Sequence, residues 1–158
     1  MADPPVDIRR DLLLEVYRQA RLAFPSECCG WLIGQRAPNR AQGIRPANNA
    51  QRAAHRPLGG RGVEQAYAIE GGDLLAFCGS LDSALPALVV YHSHTNGAAY
   101  FSATDRRMAL DPWGTPLYPV QQLVVGIDAA QISAAKLFAW DEQRRAFIEV
   151  ACYPGAAI

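Results

Sequence analysis

The chain has 158 residues, 50% hydrophobic and 19% charged, with fifteen basic residues balanced by fifteen acidic ones. That length suffices for one domain with its own core, and zero net charge removes any global pull towards nucleic acid or anionic lipid. No apolar run approaches the ~18 residues that cross a bilayer, and the opening Met1-Ala2-Asp3-Pro4-Pro5-Val6-Asp7-Ile8 lacks the basic start and apolar stretch of a secretory signal. A cytoplasmic location and no membrane or nucleic-acid partner are therefore expected. Cys28, Cys29, Cys78 and Cys152 form no C-x-x-C unit and read as reduced, mostly buried thiols.

From Asp11 to Ala23, Leu12, Val16, Ala20 and Ala23 make a helical stripe, with Leu13 and Tyr17 beside it. Asp11 suits the N-cap and Pro25 ends the run. Cys29 to Gly34 reads as a buried strand closed by Gly34, and Ile44 to Asn48 as a second, shorter one. From Ala50 to Gly62 periodicity gives way to Gly and Arg, which predicts a mobile loop. Its glycines lack the Gly-Lys-Ser/Thr ending of a phosphate-binding loop. After an extended piece at Tyr67 to Ile69, Gly72 to Leu81 reads as helix.

Ala87 to His92, with Leu88, Val89, Val90 and Tyr91, has the aliphatic run of a central strand. Ser102 to Leu110 predicts a helix, followed by a Pro- and Gly-punctuated loop from Asp111 to Pro119. Leu123 to Ile127 and Ile132 to Trp140 are two more strands. Asp141 to Arg145 turns the chain into a last strand, Ala146 to Cys152, giving an antiparallel hairpin. The fold class expected is α/β (α+β): one domain over residues 1–158, built on a single sheet flanked by at least two helices.

The stretch that carries chemistry is Tyr91-His92-Ser93-His94-Thr95, followed by Ser102-Ala103-Thr104-Asp105. Alternation on a strand points both imidazoles to one side. Two imidazoles and a carboxylate match the three-protein-ligand set of a catalytic zinc, with a fourth position for water. Asp105 completes the set if the loop from Thr95 to Phe101 folds back beside the strand end. Plainer readings stand alongside. A His-x-His pair is often no more than packed histidines, Asp105 is equally the reciprocal half of a capping box begun by Ser102, and Glu27 alone reads as a solvated loop acid.

The joint pattern His-Ser-His-x7-Ser-x2-Asp, here His92, Ser93, His94, Ser102 and Asp105, resembles that of the JAMM (MPN-plus) zinc metalloproteases. Ser26-Glu27-Cys28-Cys29-Gly30-Trp31-Leu32-Ile33-Gly34 is similar to the family's Glu-x-x-Gly-x-x-x-Gly. The resemblance implies a mixed, largely antiparallel, cytidine-deaminase-like sheet and one zinc per chain held by His92, His94 and Asp105. It also implies Glu27 as general base and Ser102 as hydrogen-bond donor to the tetrahedral oxyanion. Phe101 departs from the family, many of whose members carry Pro before the serine. Cys28 and Cys29 adjoin Glu27 but, as strand neighbours, face opposite ways and read as core; His55 reads as a solvated loop side chain.

At this compact length the chain resembles the stand-alone prokaryotic branch, some members of which act on ubiquitin-like sulfur carriers. That implies a peptidase or isopeptidase cutting after the carrier's C-terminal Gly-Gly tail, which could lie in a thin cleft by β-augmentation. The alternatives are a zinc hydrolase of another peptide, such as a cell-wall peptide, and a non-catalytic scaffold. The oligomeric state is left open.

Overall fold

The structure is a computed structural model that describes residues 1–50 and 67–158. The loop expected over 50–62, with His55 in it, lies outside the described residues apart from Ala50.

Helix α1 (Arg10–Ala23) buries Leu12, Leu13, Val16, Tyr17 and Ala20, the stripe anticipated from their spacing. Asp11 is not its N-cap. Arg9 holds that position without a side-chain cap, and Asp11 lies in the first turn, where its charge meets the positive end of the helix. Strand β1 (Cys29–Arg36) runs past Gly34, and β2 (Asn39–Ala47) begins earlier than Ile44. The two form an antiparallel hairpin with a bulge at Ile33/Gly34. A Cβ on Gly34 would strike the Arg40 carbonyl, so the strand continues because the residue there is glycine, rather than ending at it.

Next come α2 (Gly71–Ser80), β3 (Ala87–His94), α3 (Ala103–Ala109), β4 (Gln121–Ile127), β5 (Ile132–Asp141) and β6 (Ala146–Ala156). The strands form one sheet in the order β2-β1-β3-β4-β5-β6. Only the β3–β4 pair is parallel; the other four pairings are antiparallel. The mixed, largely antiparallel sheet is thus as expected. A parallel pair needs a crossover, and here residues 95–120 supply it, carrying α3 past the end of β3. Strand β6 continues beyond Cys152 through Pro154 and Gly155. It is an edge strand, where a residue without an N–H is tolerated.

The sheet is covered on both faces. Against α1 lie Leu32, Val89, Tyr91, Leu123, Val125 and Leu137. On the other face Phe77 of α2 packs with Trp31, Val90 and Val120. Burying a side chain of this size is worth ~1.5–3 kcal/mol, so both layers hold the sheet. Tyr91 points to the α1 side, where its hydroxyl donates to Gln19 Oε1 at 2.6 Å. Gly30 lies opposite it in β1, and a Cβ there would fall on that hydroxyl and on the Arg45 carbonyl. By alternation, Val90, His92 and His94 share the α2 face. No helix among the described residues is long and apolar enough to cross a membrane.

Candidate functional site

β3 is longer than the sequence suggested. It includes His94 as well as His92, and all eight of its residues are buried. Both side chains therefore leave a central strand from one face, as two-residue spacing requires. Their Nε2 atoms stand 3.1 Å apart. Asp105 reaches them from the first turn of α3, with Oδ2 3.0 Å from His94 Nε2 and Oδ1 3.2 Å from His92 Nε2. Ser102 is the N-cap of that helix: its Oγ accepts the Asp105 N–H at 3.0 Å, and its own N–H donates to Asp105 Oδ2 at 2.9 Å. The capping box and the approach to the histidines are thus one arrangement, because the carboxylate that closes the box also faces both rings.

Glu27 arrives by strand pairing. Cys29 of β1 lies opposite His92 in the antiparallel register. Just outside that pair, Ser93 Oγ accepts the Cys28 N–H at 2.8 Å and the Ser93 N–H donates to the Cys28 carbonyl at 3.2 Å. Glu27, 5% exposed, is thereby held beside the histidines. Glu27, His92 and His94 each offer a ligand atom, all within 4.8 Å of one another, a set able to hold a metal ion. All five residues expected at the site therefore meet at the C-terminal end of β3.

The donor chemistry fits a cation. Tetrahedral bonds of ~2.0–2.1 Å place ligand atoms about 3.3 Å apart, close to the 3.0–3.2 Å separations among the two imidazoles and Asp105. Burial pushes the His92 imidazole below its ordinary value despite the opposing charge of Asp105, which favours the neutral ring that a metal requires. Burial alone would raise the Asp105 carboxyl. The His92 charge, hydrogen bonds from both histidines and the Ser102 N–H outweigh it and hold Asp105 well below the usual carboxylate range. The Nδ1 atoms of both rings are buried and meet no partner among the described residues. With lone pairs of two nitrogens and a carboxylate facing one point, a proton or a cation must lie between them.

Cys28 and Cys29 are core residues, as expected. Burial pushes their thiols up to about 11 and about 12 respectively, which keeps both protonated near neutrality. Four further residues shape the site and were not anticipated from the sequence. Tyr67 stacks on His92 with ring centroids 4.3 Å apart, and Tyr100 meets His94 edge-on at 4.7 Å. Each imidazole is thus screened by a tyrosine ring. Asn49 donates from Nδ2 to the Glu27 carbonyl at 3.0 Å and accepts the Ala68 N–H at 3.1 Å, tying the acid's backbone to the segment that carries Tyr67. Ser93 fastens β3 to the Glu27 segment from the α1 side. Only Ser93 had a local signal, its place between the two histidines.

The profile of prokaryotic homologs of the JAB domain matches residues 9–142. Proteins called CysO-cysteine peptidase, from Mycobacterium tuberculosis and Mycobacterium bovis, are 33% identical over 107 residues, 66% of this chain and 66% of theirs. The match thus spans slightly less than two thirds of the length of these relatives. In three dimensions, a solution structure of a protein from Desulfitobacterium hafniense superposes with a TM-score of 0.63 at 20% identity, covering 92% of this chain and 89% of that one. A second, from Salinibacter ruber, gives 0.57 at 22% identity over 90% and 87%. At those identities the structural likeness concerns the fold.

Proposed function

Because the chain belongs to the family of prokaryotic homologs of the JAB domain, we propose that its 158 residues act as one zinc-dependent peptidase domain. Its reaction is hydrolysis of the amide bond after the C-terminal Gly-Gly of a ubiquitin-like sulfur carrier, releasing cysteine or a peptide. The observation that carries this reading is the convergence of His92, His94 and Asp105 within 3.0–3.2 Å, with Glu27 within 4.8 Å of the histidines. The relatives called CysO-cysteine peptidase support the choice of a conjugate whose leaving group is cysteine.

His92, His94 and Asp105 would hold the ion, and zinc there supplies water acidified to a pKa of ~7 and polarisation of the scissile carbonyl. Asp105 is the preferred third ligand because it approaches both imidazoles closely. Glu27, buried beside the two histidines, is suited to a group bridged through water. Its carboxylate takes the water proton and passes it to the departing amine. Ser102 Oγ already accepts the Asp105 N–H, so its hydroxyl hydrogen is not used in that bond and can be donated to the oxyanion. Tyr67 and Tyr100 exclude water from the two rings and strengthen each charge interaction by lowering the local dielectric.

The test is to incubate the purified protein with small Gly-Gly-ended carriers bearing a C-terminal cysteine or peptide and to weigh the products. Loss of the extension is expected, with one zinc per chain. Glu27→Gln should abolish hydrolysis while zinc is retained, and His92→Ala should lose the zinc. Full zinc occupancy without cleavage of any carrier would overturn the substrate assignment. Cleavage undiminished in Glu27→Gln would overturn the role of the acid.

A further inference from the structure

On the face of the sheet that carries the histidines, a cavity of about 180 Å³ opens between α2, α3 and the segment before β4. Tyr67, Phe77, Val90, Met108, Tyr118 and Gln122 are among the residues that line it. Two of these belong to the site's own framework: Tyr67 stacks on His92, and Val90 lies two residues before His92 on β3. Met108 follows Asp105 by one helical turn on α3 and is 53% exposed, as Leu117 is 46% exposed. Large apolar side chains thus surround the opening. This cavity is separate from the cluster of histidines and carboxylates, and none of the chemistry assigned above uses it.

Its lining contains one feature that apolar packing does not explain. Gln122 is 6% exposed, and its Oε1 is buried without a hydrogen-bond partner among the described residues. It stands beside Val90 in the parallel β3–β4 pairing, just as Val124 stands beside His92. A buried acceptor left unpaired is a standing penalty, and a turn of the Gln122 amide that brings Oε1 to a ligand N–H in the cavity would remove it.

The spacing says which part of a substrate reaches this point. Val90 and Gln122 lie about 6.6 Å from His92 along the strand direction, two residues at ~3.3 Å each. An extended tail with its last glycine carbonyl at the histidines covers the same length in two residues. For a tail that runs from the histidines back along β3 towards Val90, the residue immediately before Gly-Gly lies over the cavity.

Resting on the reading of the chain as a Gly-Gly-specific peptidase, we propose that this cavity is the subsite for the residue preceding Gly-Gly. It takes an apolar side chain between Phe77, Met108 and Tyr118, with Gln122 Oε1 accepting a backbone N–H of the tail. The glycines then serve to pass the narrow metal site, and selection among carriers is made one step upstream.

Two synthetic tails, Leu-Gly-Gly-Cys and Asp-Gly-Gly-Cys on otherwise identical peptides, test this. Cleavage is followed with the zinc-loaded wild type, and binding by calorimetry with the zinc-loaded Glu27→Gln protein. The Leu tail should show a KM, and a Kd for Glu27→Gln, roughly 10–100-fold lower than the Asp tail, the scale expected for burying one apolar side chain. Gln122→Met, which keeps the length and removes the acceptor, should weaken the Leu tail by about 2–10-fold without loss of zinc. Cleavage of both tails with equal KM would overturn the subsite and leave the peptidase reading standing. Preferential binding of the Leu tail without cleavage of either would uphold the subsite and overturn the peptidase. Absence of both binding and cleavage would overturn the two together.

Discussion

Ser102 has a structural role as N-cap, and a pair of substitutions separates it from the chemical role proposed for its hydroxyl. Its Oγ accepts the Asp105 N–H at 3.0 Å, while its backbone N–H reaches Asp105 Oδ2 at 2.9 Å. Ser102→Ala removes the cap at a cost of ~1 kcal/mol, whereas Gly at an N-cap costs only a few tenths. In a chain of 158 residues the Ala variant should therefore melt about 2–4 °C lower, and the Gly variant should hardly shift. Both variants keep the backbone N–H that positions the carboxylate, so both should keep zinc. Both also lose the hydroxyl. If it donates to the oxyanion, kcat falls by about 10²–10³ in each, equivalent to ~2.7–4 kcal/mol and more than the whole cap is worth. The assay is turnover of a Gly-Gly-ended carrier, with thermal melts and zinc content on the same preparations. A Gly variant with near-normal turnover beside a slow Ala variant would show that the hydroxyl acts only as a cap. A loss below about fivefold in both, with zinc intact, would refute the donor role, since even one oxyanion donor is worth more than that.

Other outcomes follow from the same geometry. Ser93→Ala leaves the buried Cys28 N–H unsatisfied, at ~1–3 kcal/mol, and should lower the melting temperature by about 2–12 °C. It should also slow turnover by loosening Glu27, with zinc content unchanged; an unaltered melt and rate would count against this tie. In the metal-free protein, stability should fall as the pH drops below ~6.5, because the unfolded His92 gains a proton that burial denies the folded one. A further loss is expected below ~3.9, where the unfolded Asp105 is protonated and the folded carboxyl, held lower, is not. Denaturant melts between pH 7 and pH 3 measure both limbs. Asp105→Asn should flatten the lower one, and a rise in stability between pH 6.5 and pH 5 would contradict the account of His92.

What the sequence made legible follows the range of the interactions. His92 and His94 share a face by simple alternation, and Ser102 and Asp105 are three residues apart in one helical turn; both are local facts. Glu27 was reachable only through resemblance. Its nearness depends on the β1–β3 register that sets Cys29 against His92, and no local pattern encodes a pairing across so many residues. The extent of β2 is illegible for a different reason, since its pairing with β1 is a local hairpin. Arg40, Gly43, Arg45 and Pro46 lack strand alternation, and the segment extends because, as an edge strand, it takes its ladder hydrogen bonds from β1. Tyr67 and Tyr100 lie outside regular elements, where nothing in the neighbouring residues says which ring they will meet. Gln122 looked like an ordinary residue before an aliphatic run, and only three dimensions set it in an apolar cavity.

The reciprocal pair of hydrogen bonds at the start of α3 has a bearing on metal capture. A free aspartate must lose rotamer freedom when it binds an ion, and that ordering subtracts from affinity. In the proposed site that ordering is already complete when the chain folds, since the Ser102 N–H holds the same oxygen that turns towards His94. Affinity for the cation then depends on that one backbone hydrogen bond, so a mutation that breaks it should weaken metal binding before the protein unfolds.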